Sequence, residues 1–466
     1  MKRFLNKFRR RTPIRSSSRK SSSRKSIKSS SRKSKMSSSR KSIKSSSRKS
    51  IKSSSRKSKM SSSRKSIKSS SSLIKSPIHS QMFWYDCENY DNCPKMIEKV
   101  EKINKNILNT MFVGCWGVYC KKGRSIERKY KKDKKKGIKK KEEDVEYGGG
   151  IASDLMGEYS NNKNIDCVIL GGDNVYSMLI DSKPENEKEL NEYKIKSHDI
   201  LGQLKEGYIN CYRKKIKTKK FLVGIGNHDI ISCDILNEQM NFYKVDSKWN
   251  LFGLSYIYSY ILNDDTKINL IFIDTNMYDE SSQYCQGTYS SYHKDKQEEW
   301  LGKVLKENKK NWNIVIGHIP FICNLRKCSE DDDINGNIED LTNNELLILL
   351  SKFHKYIDLY MCADEHNQQY IEYRDEDGVS INQVISGTGG SPLDTDLSCA
   401  LKYKDIGGLI HGTQFFRSGF GFVGMDIDRD IINLNFNVDD STRGETYFID
   451  YVHYDDPLKY TIGRKR

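Results

Sequence analysis

Six short apolar runs, each ending in a cluster of polar residues, constrain this chain more than any other feature. They are MFV followed by GCWG (111–117), IDCVIL by GGDNVY (165–176) and FLVGI by GNHD (221–229). The others are INLIFI followed by DTN (268–276), WNIVI by GHIP (312–320) and IDLYM by CADEH (357–366). Runs of β-branched and large apolar residues without alternation predict strands buried on both faces. Helical patterns fall between them, at 95–108, 151–159, 185–211, 296–307 and 344–354. Strands alternating with helices indicate an α/β fold. Later segments lose the helices: 384–386, 419–427, 431–438 and 446–452 read as an antiparallel strand set. The expected architecture is a two-sheet β-sandwich flanked by helices.

Charge divides the chain of 466 residues in two. The formal net charge is +19, but residues 1–76 hold 28 Lys/Arg and no Asp or Glu, so the remainder carries 19 − 28 = −9. A basic tail therefore joins a mildly acidic body. From Ser21 to Lys68 an eight-residue unit of the type SSSRKSIK or SSSRKSKM repeats six times. It cannot bury enough apolar surface to offset chain entropy, so residues 1–80 are expected to be disordered, with the folded domain over 81–466. Such a tail suits electrostatic binding to nucleic acid or another polyanion, and its serines suit phosphorylation, which would cancel the charge. A solvated repeat without a dedicated partner weighs equally. A second basic run, 121–141, reads as a surface insertion.

No apolar stretch is long enough for a membrane-spanning helix. The N-terminus has the charge of a secretory signal but no apolar h-region, so an intracellular location, cytoplasmic or nuclear, is expected. Twelve Cys without a C-x-x-C pair argue against a disulfide scaffold and a zinc ribbon. Cys87 with Cys93, or Cys323 with Cys328, could pair in an oxidising compartment; reduced thiols fit an intracellular chain better.

In open α/β sheets functional groups collect beyond the carboxyl ends of the strands. The six polar clusters carry Cys115, Asp173, Asn174, Tyr176, Asn227, His228, Asp229, His318, Asp364, Glu365 and His366. One strand-end His or Asp is usually a cap or a turn residue. Several tips offering oxygen and imidazole donors suit two cations a few ångströms apart. Trp116 and Tyr370 read as packing groups, Asp274 as a loop cap and SGTGGSP (386–392) as a tight turn.

The motifs GDNVY (172–176), GNHD (226–229), GHIP (317–320) and CADEHNQQY (362–370) come in an order that resembles the calcineurin-like metallophosphoesterases. More narrowly, the chain looks like the purple acid phosphatases, with GCWG (114–117) in the place of that family's GDWG. The resemblance spans roughly residues 110–390. It implies an α/β/β/α fold and two metal ions, iron with iron, zinc or manganese. Asp173 would bridge them. Cys115, Tyr176 (as phenolate) and His366 would complete the first site; Asn227, His318 and Asp364 would complete the second. His228 would stabilise the scissile phosphate and protonate the leaving group, oriented by Asp229, while a metal-bound hydroxide attacks phosphorus. Two positions depart from the pattern: Cys115 replaces a ligand Asp, and Asp364 replaces a ligand His, with Ala363 in place of the preceding Gly. Both replacements retain a donor atom. The resemblance thus implies a metal-dependent phosphoesterase acting on a phosphate ester. The alternatives are a degenerate relative used for binding or as a scaffold, and a protein whose main activity lies in its basic tail.

Overall fold

The computed structural model describes residues 97–117, 148–176, 200–231, 233–279, 291–324, 342–393, 412–439 and 458–465. The chain divides between Lys75 and Ser76, and every described residue belongs to the second unit. The tail expected to be disordered, the basic insertion, the strand expected at 446–452, the start of the helix expected at 185, and Cys87, Cys93 and Cys328 lie outside the described residues.

Two sheets form the body. The seven-stranded sheet has the order β15-β14-β13-β2-β3-β4-β5, with β2 Leu108–Val113, β3 Ile165–Gly171, β4 Thr218–Gly224, β5 Trp249–Asn250, β13 Gly421–Ile427, β14 Ile431–Val438 and β15 Lys459–Gly463. The eight-stranded sheet has the order β1-β6-β7-β8-β9-β11-β10-β12. Its strands are β1 Ile97–Lys102, β6 Tyr256–Ile261, β7 Lys267–Phe272, β8 Trp312–Ile316, β9 Leu359–Cys362, β10 Gln368–Arg374, β11 Ser380–Ser386 and β12 Thr413–Arg417.

The unalternating apolar runs are explained by what covers each face. One core lies between the sheets and joins Phe112, Ile169 and Leu222 to Leu270, Ile314 and Met361. Behind the seven-stranded sheet, Met111, Val168 and Phe221 pack with Met156 of α1 (Gly148–Asn162) and with Tyr208 and Tyr212 of the helical segment that begins at Ile200. Behind the eight-stranded sheet, Ile271, Val315 and Tyr360 pack on Leu301 and Leu305 of α2 (Ser291–Glu307) and on Leu346 and Leu349 of α3 (Asn344–Lys352). Every residue of β3 and β8 is buried because both faces of each strand are occupied. The result is the expected helix–sheet–sheet–helix layering.

Register aligns the tips. Strands β2, β3 and β4 run parallel, with Val113 opposite Leu170 and Leu170 opposite Val223. Strands β7, β8 and β9 also run parallel, with Phe272 opposite Ile316 and Ile316 opposite Met361. Each sheet therefore presents its carboxyl ends along one edge, and two links join those edges: Gly114 N donates to Ser386 O at 2.9 Å, and His318 Nδ1 lies 2.8 Å from Gly171 O.

Two expectations need correction. The helix at 95–108 is absent: that segment forms β1 and leads into β2. The three-residue spacing of Ile97, Val100 and Ile103 imitates one face of a helix. Parallel pairing with β6 prevails, and burial alternates along β1, leaving Val100 54% exposed. The expectation of reduced thiols fails at Cys211, which is disulfide-bonded; Cys115, Cys167, Cys323 and Cys362 are buried and carry thiols. Among the described residues no helix is long and apolar enough to cross a membrane.

Leu270 sits wholly buried between the sheets. Leu270→Ala is expected to lower the unfolding free energy by about 2–5 kcal/mol through lost transfer energy and the cavity left behind, as read from chemical denaturation of the purified protein.

Candidate metal centre

Three strand tips turn through the left-handed region. Cys115 has φ 54°, Asp173 φ 56° and Asp364 φ 59°, and among the described residues Asp265 is the one other non-glycine with positive φ. Left-handed backbone costs a non-glycine residue roughly 1–2 kcal/mol, and such strain gathers where side-chain placement matters. Here it sits on three donor-bearing residues brought from three strands. Each turn is held by backbone bonds: Cys115 N donates to Gly172 O at 3.0 Å, Gly117 N to Asp173 O at 3.0 Å and Ala363 N to His318 O at 2.8 Å.

Asp173 is fully buried and divides its two oxygens. Oδ2 accepts from the Tyr176 hydroxyl at 2.8 Å. Oδ1 accepts from His228 N at 3.2 Å and lies 3.3 Å from His318 Nε2. The same Nε2 lies 3.5 Å from Asp364 Oδ1. The donor atoms of Cys115, Asp173 and His366 lie within 4.8 Å of one another. Two groups of side chains thus meet on one carboxylate: Cys115, Tyr176 and His366 on one side, His318 and Asp364 on the other.

Both imidazoles are aimed by main-chain carbonyls. His318 Nδ1 faces Gly171 O at 2.8 Å and His366 Nδ1 faces Pro392 O at 2.6 Å. With the Nδ1 proton given to a carbonyl, Nε2 presents its lone pair, the arrangement usual for metal-ligating histidines. Burial works against the cationic form of His318, yet the carboxylates of Asp173 and Asp364 outweigh it and raise the imidazole to about 9. The pocket therefore favours positive charge at this point, which a proton on His318 or a cation among the three side chains supplies equally. Burial, then the negative charge of Asp173, holds the Tyr176 phenol well above its ordinary range. The donor chemistry of one thiol, one phenol, two carboxylates and two oriented imidazoles fits transition-metal binding.

Asn227 and His228 belong to a one-turn 3₁₀ segment, Asn227–Asp229, at the tip of β4. Asn227 Oδ1 accepts from His228 N at 3.1 Å, and its side chain makes no hydrogen bond to the other donor side chains among the described residues. The His228 ring packs on Tyr176 with centroids 4.5 Å apart, and its buried Nδ1 has no hydrogen-bond partner among the described residues.

The Asp229 carboxylate is placed differently from the sequence expectation. It does not hydrogen-bond the His228 ring. Oδ1 accepts from Asn174 N at 2.9 Å and Val175 N at 3.2 Å, and Oδ2 from Gly226 N at 2.7 Å and Asn174 Nδ2 at 3.1 Å. Asp229 thus clamps the β3 tip to the β4 tip. Burial and the nearby Asp173 charge push its carboxyl up to about 7, against the N–H bonds from Gly226 and Asn174.

Several supporting residues were not visible in the motifs. Asn174, read as one more strand-tip donor, turns inward: its amide nitrogen reaches Gly224 O and Gln239 Oε1, and its Oδ1 accepts from Trp116 Nε1 at 3.0 Å. Thr275 Oγ1 accepts from His318 N and Ile319 N, each at 3.0 Å. The SGTGGSP stretch does more than turn: Gly389 N donates to Gly114 O and Ser391 N to Cys115 O, while Pro392 O orients His366. Its Gly-rich composition was the one available signal. Trp116 packs as expected, edge-on to Tyr212 and Trp249. Asp274 accepts from Asn276 N at 3.0 Å, as a loop cap should.

No curated protein matches the chain. Among solved structures it is similar to GAP50, described as the anchor in the inner membrane complex of Plasmodium, at 18% identity and TM-score 0.48, covering 78% of this chain and 90% of that one. It is also similar to a purple acid phosphatase from yellow lupin seeds, at 15% identity and TM-score 0.42, covering 78% of this chain and 54% of that one. A dimetal phosphatase from Danio rerio aligns at 11% identity and TM-score 0.38, covering 76% and 98%. The family model of calcineurin-like phosphoesterases matches residues 151–368, which span Asp173 through His366. Those residues therefore match a calcineurin-like phosphoesterase domain.

Proposed function

We propose that the body is a metal-dependent phosphoesterase that works in the manner of the purple acid phosphatases. One observation carries this reading. Donors from separate strand tips converge on Asp173, whose Oδ2 faces Tyr176 and whose Oδ1 faces His318. Cys115, Asp173, Tyr176 and His366 would hold one ion; Asp173, Asn227, His318 and Asp364 would hold the other. When bound, such ions polarise a phosphoryl oxygen and lower the pKa of water.

The chain's own residues do the rest. Asp173 fixes the His228 backbone, and tilted packing against the Tyr176 ring fixes the imidazole. From there His228 donates a hydrogen bond to the phosphoryl group and passes a proton to the departing alcohol oxygen, so that an alkoxide need not leave. Asp229 acts through the backbone, keeping the Asp173 and His228 turns in register.

Elemental analysis of the purified full chain after incubation with Fe, Zn or Mn should find close to two equivalents of bound metal; less than one equivalent under every condition overturns the proposal. Metal uptake without turnover of any aryl phosphate would assign the centre to binding rather than hydrolysis. His228→Ala should lower kcat by about 10²–10⁴ while leaving metal content unchanged. Asp229→Ala removes acceptors from four N–H groups and should weaken metal affinity by about 10–100-fold, as supporting residues around a metal site commonly do; titration with a metallochromic indicator reads this directly.

A further inference from the structure

We propose that the two halves of the centre differ in softness: Cys115, Asp173, Tyr176 and His366 select a thiophilic divalent ion, zinc above all, through a thiolate bond from Cys115. Asp173, Asn227, His318 and Asp364 take a second divalent ion that prefers oxygen. The inference deepens the two-ion reading above and rests on it.

Cys115 is positioned as a donor rather than as filler. It is fully buried, and its backbone occupies φ 54°, a conformation that brings no advantage to a packing residue. Both of its main-chain polar groups are fixed, N to Gly172 O at 3.0 Å and O by Ser391 N at 3.1 Å. The thiol contacts the Asp364 carbonyl at 3.7 Å, a weak acceptor contact that a metal bond would replace at little cost. A Cβ on Gly387 would collide with the Glu365 carbonyl oxygen at 2.2 Å and also crowd Cys115 Sγ at 3.2 Å, so the bare backbone there admits both the 365 tip and the sulfur.

The spacing suits a tetrahedral ion. Zinc bonds of about 2.0–2.3 Å place neighbouring donor atoms roughly 3.5 Å apart. The Cys115, Asp173 and His366 donors already lie within 4.8 Å of one another, and the Tyr176 oxygen, 2.8 Å from Asp173 Oδ2, offers a fourth. On binding, the S–H bond breaks, the proton leaves to solvent and the freed electron pair bonds the ion; nothing is oxidised or reduced. Ferric iron is the poorer occupant, because a thiolate ligand can reduce it. The other half contains no sulfur: two carboxylates, an amide oxygen and one imidazole suit manganese, ferrous iron or zinc.

Cobalt(II) substitution of the full-length protein tests this, because thiolate ligation produces a near-ultraviolet charge-transfer band that oxygen and nitrogen ligands do not. The expected result is a band for one of two bound cobalt ions, lost first when zinc is titrated in. Cys115→Ser should abolish the band while the other half still binds one ion. Cys115→Asp should also lose it, keep two ions and shift uptake from zinc towards manganese or iron. Should the serine variant fail to fold, the aspartate variant keeps a ligand in place and carries the test. Two bound cobalt ions without the band, or a band that survives both substitutions, overturn the inference and leave the two-ion reading standing. Failure to bind any ion sinks both.

Discussion

The Asp173 carboxylate is the point on which the centre depends. One oxygen faces Tyr176, the other faces His318 and the His228 amide, so a single side chain relates two groups of donors. It can do so because its surroundings have been stripped of side chains. A Cβ on Gly226 would fall 2.3 Å from Asp173 Oδ1, and one on Gly172 would fall 2.6 Å from His318 Nδ1. Gly172 itself has φ 96°, which continues directly into the left-handed Asp173. The glycines of GGDN and GNHD are therefore steric requirements for bringing β3, β4 and β8 together at one carboxylate.

Strain at three tips requires a scaffold that does not yield. The three left-handed residues together cost a few kcal/mol at roughly 1–2 each. The sandwich can hold them because each strand leading into them is packed on both faces. In such a strand the tip cannot relax by sliding without moving a close-packed core. The same parallel register that buries Val113, Leu170 and Val223 side by side sets the following residues at one height. Packing and placement are thus one constraint: the core fixes where the strands end, and their ends fix the donors.

Much of this was legible in the sequence, and the reason is physical. Strands buried on both faces leave unalternating apolar runs, and their tips need Gly, Asp and Asn to turn sharply, so β2, β3, β4, β7, β8 and β9 marked themselves. The edges did not. Strand β1 carries IEKVEK, whose charges and three-residue spacing belong equally to a surface helix, and only its pairing with β6 decides the matter. Strands β6 and β10 end in the hairpin turns NDDT (263–266) and DEDG (375–378) that lead into their antiparallel neighbours, and carry no motif that would mark them. In the site, the donor-bearing residues could be read because their types are chemical. The use made of Asp229 could not: an Asp beside a His reads as the partner of that His, whereas the folded chain spends both oxygens on N–H groups of Gly226, Asn174 and Val175. Backbone acceptors such as Pro392 O leave no trace in residue identity at all.

The two departures from the resembled ligand pattern are neighbours, and their charges add. The Cys115 thiol touches the Asp364 carbonyl, and a Cβ on Gly114 would overlap that of Ala363 at 2.2 Å, so the two tips are packed as one unit. Replacing a ligand Asp by Cys keeps an anionic donor at one half. Replacing a ligand His by Asp adds a negative charge at the other. Were two ions held as proposed, with Tyr176 ionised, the anions facing them would be Cys115, Asp173, Tyr176 and Asp364, four where the resembled pattern has three. Four negative charges balance two divalent ions, whereas three leave a surplus of positive charge to draw in a phosphate. A centre with less net positive charge holds its ions at least as firmly but attracts an anionic ester less. On the proposed function, more of a substrate's charge would then have to be met by hydrogen bonding from the protein, and the His228 ring, packed against Tyr176 beside Asp173, would be the group to provide it.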